Sequence, residues 1–275
     1  MKIQNLDPTK YKRFFAFGCS FTNYNWPTWA DIIGKDIEVY ANWGKQAAGN
    51  YFIFNSVMEA DARYNFTKDD LVIIFWTIKE REDRYSGNEW VHFSPYNIEA
   101  NYGKEWTEKY YFDNRHYLMR DLTLIKATQD ILKTKECDWA NLSWGEFLHS
   151  DELKPKYDIA NKSQKITMMK EWRAQCKNIY KGGEIPKYID NNDIITLYQS
   201  IFNDFSGVYK WFRTECLDED RRVSPGNDLH PMPSEALMFL DWVWPDNLLS
   251  SKARNYANNW VHSGHAMPRP TVIRL

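Results

Sequence analysis

Apolar and polar positions in the first half of the chain follow a repeated order of strand, loop and helix. Arg13 to Gly18 (RFFAFG) is a short apolar run closed by a small residue, and Trp29 to Gly34 follows it with helical spacing. A weaker strand at Ile37 to Ala41 leads through a Gly- and Asn-containing loop into a helix over Tyr51 to Tyr64. Ile53, Val57, Met58 and Ala62 form one stripe of that helix. Leu71 to Trp76 (LVIIFW) is a continuous apolar run after Asp69-Asp70, the pattern of a central strand buried on both faces.

Ser86 to Tyr111 breaks this rhythm with aromatics, Gly and Pro. A helical pattern then resumes over Asp113 to Thr134, carried by Leu118, Leu122, Ile125 and Leu132, and Cys137 to Ser143 reads as the next strand. Residues 145–222 depart from the alternation and carry helical stretches at Ile166 to Tyr180 and Ile194 to Phe205. They read as a largely helical insertion or lid. A last helix is expected over Ser234 to Val243, before a Pro-containing tail. Alternating strands and helices with apolar runs predict a three-layer α/β/α sandwich around a mostly parallel sheet. The 275 residues suit a single α/β domain, 1–275, elaborated by the insertion.

Composition narrows the functional classes. Thirty-five Lys and Arg against 37 Asp and Glu give a formal net charge of -2, with no basic block to attract nucleic acid or an anionic membrane. Cys19, Cys137, Cys176 and Cys216 are widely spaced and form no CxxC pair or His/Cys cluster, so neither a metal site nor a disulfide framework is expected. The polar start of the chain lacks the layout of a signal peptide, and no apolar run approaches ~18 residues, which predicts a cytoplasmic protein with no membrane partner. The 13 Trp and 17 Tyr, at a mean hydropathy of -0.65, put many rings near surfaces or clefts. There they would suit sugar stacking as well as ordinary packing.

In a parallel α/β sheet, ligands gather outside the carboxyl ends of the strands. Gly18-Cys19-Ser20-Phe21-Thr22, Ala48-Gly49-Asn50, and Thr77 with Arg81, Asp83 and Arg84 all map to that edge, and Asp228 and His230 precede the last helix. A serine hydroxyl becomes a nucleophile when a base, usually a His oriented by a carboxylate, takes its proton. Ser20, His230 and Asp228 are therefore the candidate triad. The backbone N–H groups of Ser20 and Gly49, with the Asn50 amide, are candidate oxyanion donors, each worth roughly 3 kcal/mol of barrier. Each residue also has a plainer reading: Ser20 or Asn50 as a helix N-cap, Gly49 as a turn residue, Asp228 as an acid favoured by a helix dipole. Arg81 and Arg84 leave the end of a buried strand where an acidic or sugar substrate would be met. Cys19 reads as a small buried thiol. His116 and His149 lack partners at ligand spacing, and His262 and His265, though three residues apart, lie in a Gly- and Pro-containing tail without nearby acids; all four read as non-catalytic.

These islands resemble the SGNH or GDSL-like hydrolases. Phe17-Gly18-Cys19-Ser20-Phe21-Thr22 looks like that family's serine block in a GCS form, Ala48-Gly49-Asn50 like its glycine block, and Asp228-Leu229-His230-Pro231-Met232-Pro233 like its last block. The third block's Gly-x-Asn-Asp is absent, the strand ending Phe75-Trp76-Thr77, so Asn50 or the Thr77 hydroxyl would have to supply that donor. The acid lies two residues before the His rather than the family's three. The GCSFT loop and D-x-H-P-x-P block are similar to those of divergent phage-encoded members, which suggests a phage-associated and even virion-associated source.

The resemblance implies a flavodoxin-like sheet and a serine esterase or acetyl-hydrolase without cofactor. Its partner would be a small-molecule or polysaccharide ester, an O-acylated carbohydrate above all. Two other readings stay open: an O-acyltransferase using the same residues, and a catalytically degenerate binding or virion structural protein that kept the scaffold.

Overall fold

The computed structural model describes residues 6–111, 114–145, 205–208, 228, 230–244 and 248–260. Its centre is a five-stranded parallel sheet of β1 (Arg13–Gly18), β2 (Val39–Asn42), β3 (Asp70–Trp76), β6 (Asp138–Ser143) and β7 (Phe205–Val208), in the order β2-β1-β3-β6-β7. Every residue of β3 is buried, which is why its sequence runs apolar without alternation. Successive side chains still point to opposite faces. Phe14, Ala16, Leu71, Ile73 and Phe75 join one core with α1 (Trp29–Ile33), α6 (Pro233–Val243) and α7 (Ser251–Asn258). Phe15, Phe17, Val72, Ile74 and Trp76 join the other with α2 (Asn50–Tyr64) and α5 (Asn114–Lys133). Helices thus cover both faces, an arrangement compatible with a three-layer sandwich.

The β1–β3 register is pinned at its start by Arg13 paired opposite Asp70. The guanidinium meets the carboxylate with two contacts of 2.6 Å, and Asp70 also accepts the Thr67 amide. A bidentate pair of this kind, its carboxylate fully buried, opposes slippage of two strands whose apolar sequences would tolerate several alignments.

Two features depart from the expected layout. Phe205–Val208, inside the segment expected as an insertion, forms β7 and extends the sheet; the rest of 146–227 lies outside the described residues. The stretch where the rhythm breaks holds an antiparallel hairpin, β4 (Glu82–Ser86) and β5 (Glu89–Phe93), then α3 (Ile98–Tyr102), α4 (Lys104–Trp106) and a π-helical turn at Thr107–Tyr111. Gly87 and Asn88 close the hairpin with φ of 59° and 68°, and a two-residue loop with positive φ at both positions matches the twist of its strands. Among the described residues no helix is long and apolar enough to cross a membrane.

Replacing Asp70 with Ala strands the Arg13 guanidinium and the Thr67 amide. The expected result is a loss of about 3 kcal/mol in unfolding free energy, read from urea denaturation.

Candidate active site

Ser20 lies in the turn that follows β1 at the carboxyl edge of the sheet. Gly18 makes that turn possible: a Cβ there would sit 2.1 Å from Thr22 Oγ1 and 3.0 Å from the Phe75 carbonyl. The Cys19 carbonyl accepts the amides of Thr22 and Asn23 at 2.9 and 3.1 Å, tightening the turn. Cys19 is a free thiol buried in the core beneath, which leaves Ser20 to face the site.

The Ser20 hydroxyl meets His230 Nε2 at 2.7 Å, and His230 Nδ1 meets Asp228 Oδ1 at 2.6 Å. The same Asp228 oxygen accepts the His230 backbone amide at 2.9 Å. The two-residue spacing therefore closes an Asx-type turn that holds carboxylate and imidazole on one loop. An ionised Asp228 can only accept, so Nδ1 carries the proton and the Nε2 lone pair faces the serine hydroxyl. Just beyond, the Trp26 indole N–H donates to the Pro231 carbonyl at 2.7 Å, and the Met232 amide donates to Glu235 at the start of α6. His230 thus stands on an anchored loop.

Tyr24 completes this arrangement. Its hydroxyl donates to the second Asp228 oxygen at 2.6 Å, and its ring stacks on the imidazole with centroids 3.7 Å apart and planes 15° apart. Burial works to raise the pKa of Asp228, but the hydrogen bonds from Tyr24 and from the His230 amide and imidazole outweigh it and hold the pKa below the ordinary carboxylate value. Burial pushes the pKa of His230 below its ordinary 6.5 against the pull of Asp228, and the Arg81 cation adds to the lowering. The imidazole is therefore neutral at pH 7, as a general base must be.

The donors expected of the glycine block are engaged elsewhere. The Gly49 amide donates to Asp83 Oδ1 at 2.8 Å and the Phe52 amide to Asp83 Oδ2 at 2.8 Å, so Asp83 satisfies the open N-terminus of α2. Asn50 is fully buried. Its side-chain amide donates to the Thr77 carbonyl and to Asp121, and its carbonyl accepts the Thr77 amide, at 3.1, 2.7 and 2.9 Å. Asn50 behaves here as an extra peptide unit that ties α2 to the end of β3. Of the expected donors, the Ser20 amide and the Thr77 hydroxyl donate to no acceptor among the described residues; Thr77 itself is buried at the end of β3.

Arg81 and Arg84 separate. Arg81 donates to the Ala48 carbonyl at 2.9 Å and lies close enough to His230 to act on its charge, whereas Arg84 pairs with Glu82 at 2.9 Å and lines a different cleft. No protein-family model matches the chain, and no curated protein matches it. Among the described residues no cluster of His, Cys, Asp or Glu could hold a metal ion.

Sequence reasoning missed Tyr24, His92 and Asp121. Tyr24 lies 204 residues from Asp228 and carried no local signal. His92 faces Asp83 directly across the hairpin and meets its Oδ1 at 2.7 Å, so recognising the Gly87-Asn88 turn would have paired them. Asp121 is fully buried, and that burial raises its pKa to about 7 despite Arg120 and Asn50 beside it.

Two outcomes follow from these contacts. In Tyr24→Phe the stack stays but Asp228 loses a donor and becomes a stronger partner for the imidazolium, so the His230 pKa should rise, measurable by NMR titration of the ring. Because the folded pKa of Asp121 exceeds its unfolded value of about 3.9, its contribution to stability is largest below about pH 4 and is lost as pH rises to about 7. Urea midpoints across that window should show Asp121→Asn with a shallower decline than the parent chain.

Proposed function

We propose that the chain is a serine esterase of the SGNH type, acting on an O-acylated substrate. The observation that carries this reading is the continuous relay from Ser20 Oγ through His230 to Asp228, at 2.7 and 2.6 Å. The fold is consistent with it. Counted along the main sheet, the strand order is 2-1-3-4-5, a doubly wound order in which ligands bind at the carboxyl edge where the order reverses. Ser20 follows β1, beside that point.

In this mechanism Ser20 Oγ attacks the ester carbonyl carbon while His230 Nε2 takes its proton. Asp228, supported by Tyr24, stabilises the resulting imidazolium and keeps the ring in its tautomer. Negative charge collects on the former carbonyl oxygen, where the Ser20 amide donates and the Arg81 cation adds positive potential. His230 then protonates the leaving alkoxide, and the acyl group remains on Ser20. Water, deprotonated by the same His230, attacks the acyl-enzyme and releases the acid. An acceptor sugar in place of water would make the reaction an acyl transfer.

An O-acylated carbohydrate is the substrate class proposed, as the resemblance of the serine, glycine and Asp-x-His blocks to the SGNH hydrolases implies. A second reading has an observation of its own: Gly49 and Asn50 spend their donors on Asp83, Thr77 and Asp121. A hole reduced in this way is what a binding protein that has given up catalysis would retain.

Labelling by a serine-directed fluorophosphonate, with peptide mapping, separates the two. The esterase reading expects label on Ser20 and hydrolysis of p-nitrophenyl acetate that falls at least about 10³-fold in Ser20→Ala. The acid limb of kcat/KM should lie below pH 6.5, since the His230 pKa is lowered. Absence of label together with an unchanged rate in Ser20→Ala would leave only the binding reading.

A further inference from the structure

The excursion between β3 and α5 carries a cleft of about 340 Å³ that the proposed chemistry does not use. That volume falls in the range of small-ligand sites, about 300–1,000 Å³. One wall is a ladder of rings at four-residue spacing. Tyr102 stacks on Trp106 with centroids 4.4 Å apart and planes 23° apart, and Trp106 meets Tyr110 at 5.8 Å. Trp106 is half-buried and Tyr110 is exposed, so the ladder is anchored at one end and open at the other.

The polar groups of the cleft are of both signs. Glu82 is nearly buried and is held between Arg84 Nε and Arg120 Nη1, each at 2.9 Å. Arg84 remains more than half exposed and Lys109 is exposed, while Lys109 has no carboxylate partner among the described residues. The one carboxylate of the cleft thus faces three cations, Arg84, Arg120 and Lys109, of which Arg120 also pairs with Asp121, beside an aromatic wall.

The geometry points to a subsite for an acidic saccharide, a sugar ring stacked on the Trp106–Tyr110 wall with its carboxylate met by Arg84 and Lys109. Trp and Tyr offer flat apolar faces to the C–H side of a sugar ring. A guanidinium recognises a carboxylate through paired N–H donors, and Glu82 accepts from ring hydroxyls. A phosphate dianion fits less well, because the Glu82 carboxylate would repel it and Arg120 is already divided between Glu82 and Asp121. The subsite deepens the proposed function: that the saccharide belongs to the acylated substrate rests on the esterase reading, while the binding itself does not.

The test uses the full chain carrying Ser20→Ala, so that binding is read without turnover. Calorimetric titration with trigalacturonate, a hyaluronan tetrasaccharide and sialyllactose is set against neutral maltotriose and lactose. At least one acidic sugar should bind with quenching of tryptophan fluorescence, and more tightly than either neutral sugar. Arg84→Gln and Tyr110→Ala should each weaken that binding about tenfold or more. Both side chains are exposed enough for their loss to leave the fold intact, which circular dichroism checks. The proposal is overturned if no acidic sugar binds below millimolar concentration, if the neutral sugars bind as well, if inorganic phosphate competes at equal concentration, or if both variants bind like the parent. Absence of esterase activity in the parent chain, with sugar binding retained, would count against the catalytic reading alone.

Discussion

Parallel pairing of β1 with β3 is the constraint on which the other parts depend. Both strands are buried on both faces, and the Arg13–Asp70 pair at their start sets the alignment. Once that register is fixed, Gly18 lies opposite Phe75. The two chains then leave the sheet side by side, one into the Ser20 turn and one into Thr77 and the excursion beyond. A slip of one residue would exchange the two cores and move the serine away from the loop that carries His230.

Three buried or half-buried carboxylates then organise the carboxyl edge, each through donors that would otherwise go unsatisfied. Asp228 gathers Tyr24 and the backbone amide and Nδ1 of His230; Asp83 gathers the first turn of α2 and His92; Asp121 gathers Asn50 and Arg120. Burial of each of these carboxyl groups is tolerated because several donors converge on it. The same requirement that makes Asp228 an effective partner for an imidazole explains why Asp83 takes the Gly49 amide. A donor committed to a buried carboxylate is not free for another acceptor, so of the nominated donors only the Ser20 amide and the Thr77 hydroxyl stay uncommitted among the described residues. The excursion thus supplies both the carboxylate that occupies Gly49 and the cation that acts on His230.

Much of the framework was legible before any coordinates. Continuous apolar runs located β1 and β3, helical periodicity located α2, α5 and α6 to within a residue or two, and small residues around Ser20 marked a tight turn. The β4–β5 hairpin was not read, because Glu82, Asp83, Arg84 and Glu89 hide the alternation that strands usually show, although the Gly87-Asn88 turn was in plain sight. β7 was not read either. Four residues inside a long segment of other character carry too little pattern to stand out, and only their pairing with β6 defines them as a strand.

By itself the sequence determined the local events: where strands end, which serine sits on the turn after the first, and which His and Asp lie together near the last helix. These follow from periodicity and from turn chemistry, which act over a few residues. Only the tertiary structure decided which polar groups are already spoken for. Hydrogen bonds in a folded chain are allotted among neighbours in space, and the partners that matter came from distant segments: Asp83 for Gly49, Asp121 for Asn50, Tyr24 for Asp228. Spacing along the chain could nominate donors for the Ser20 site, but competition for those donors exists only once the fold has brought the carboxylates beside them.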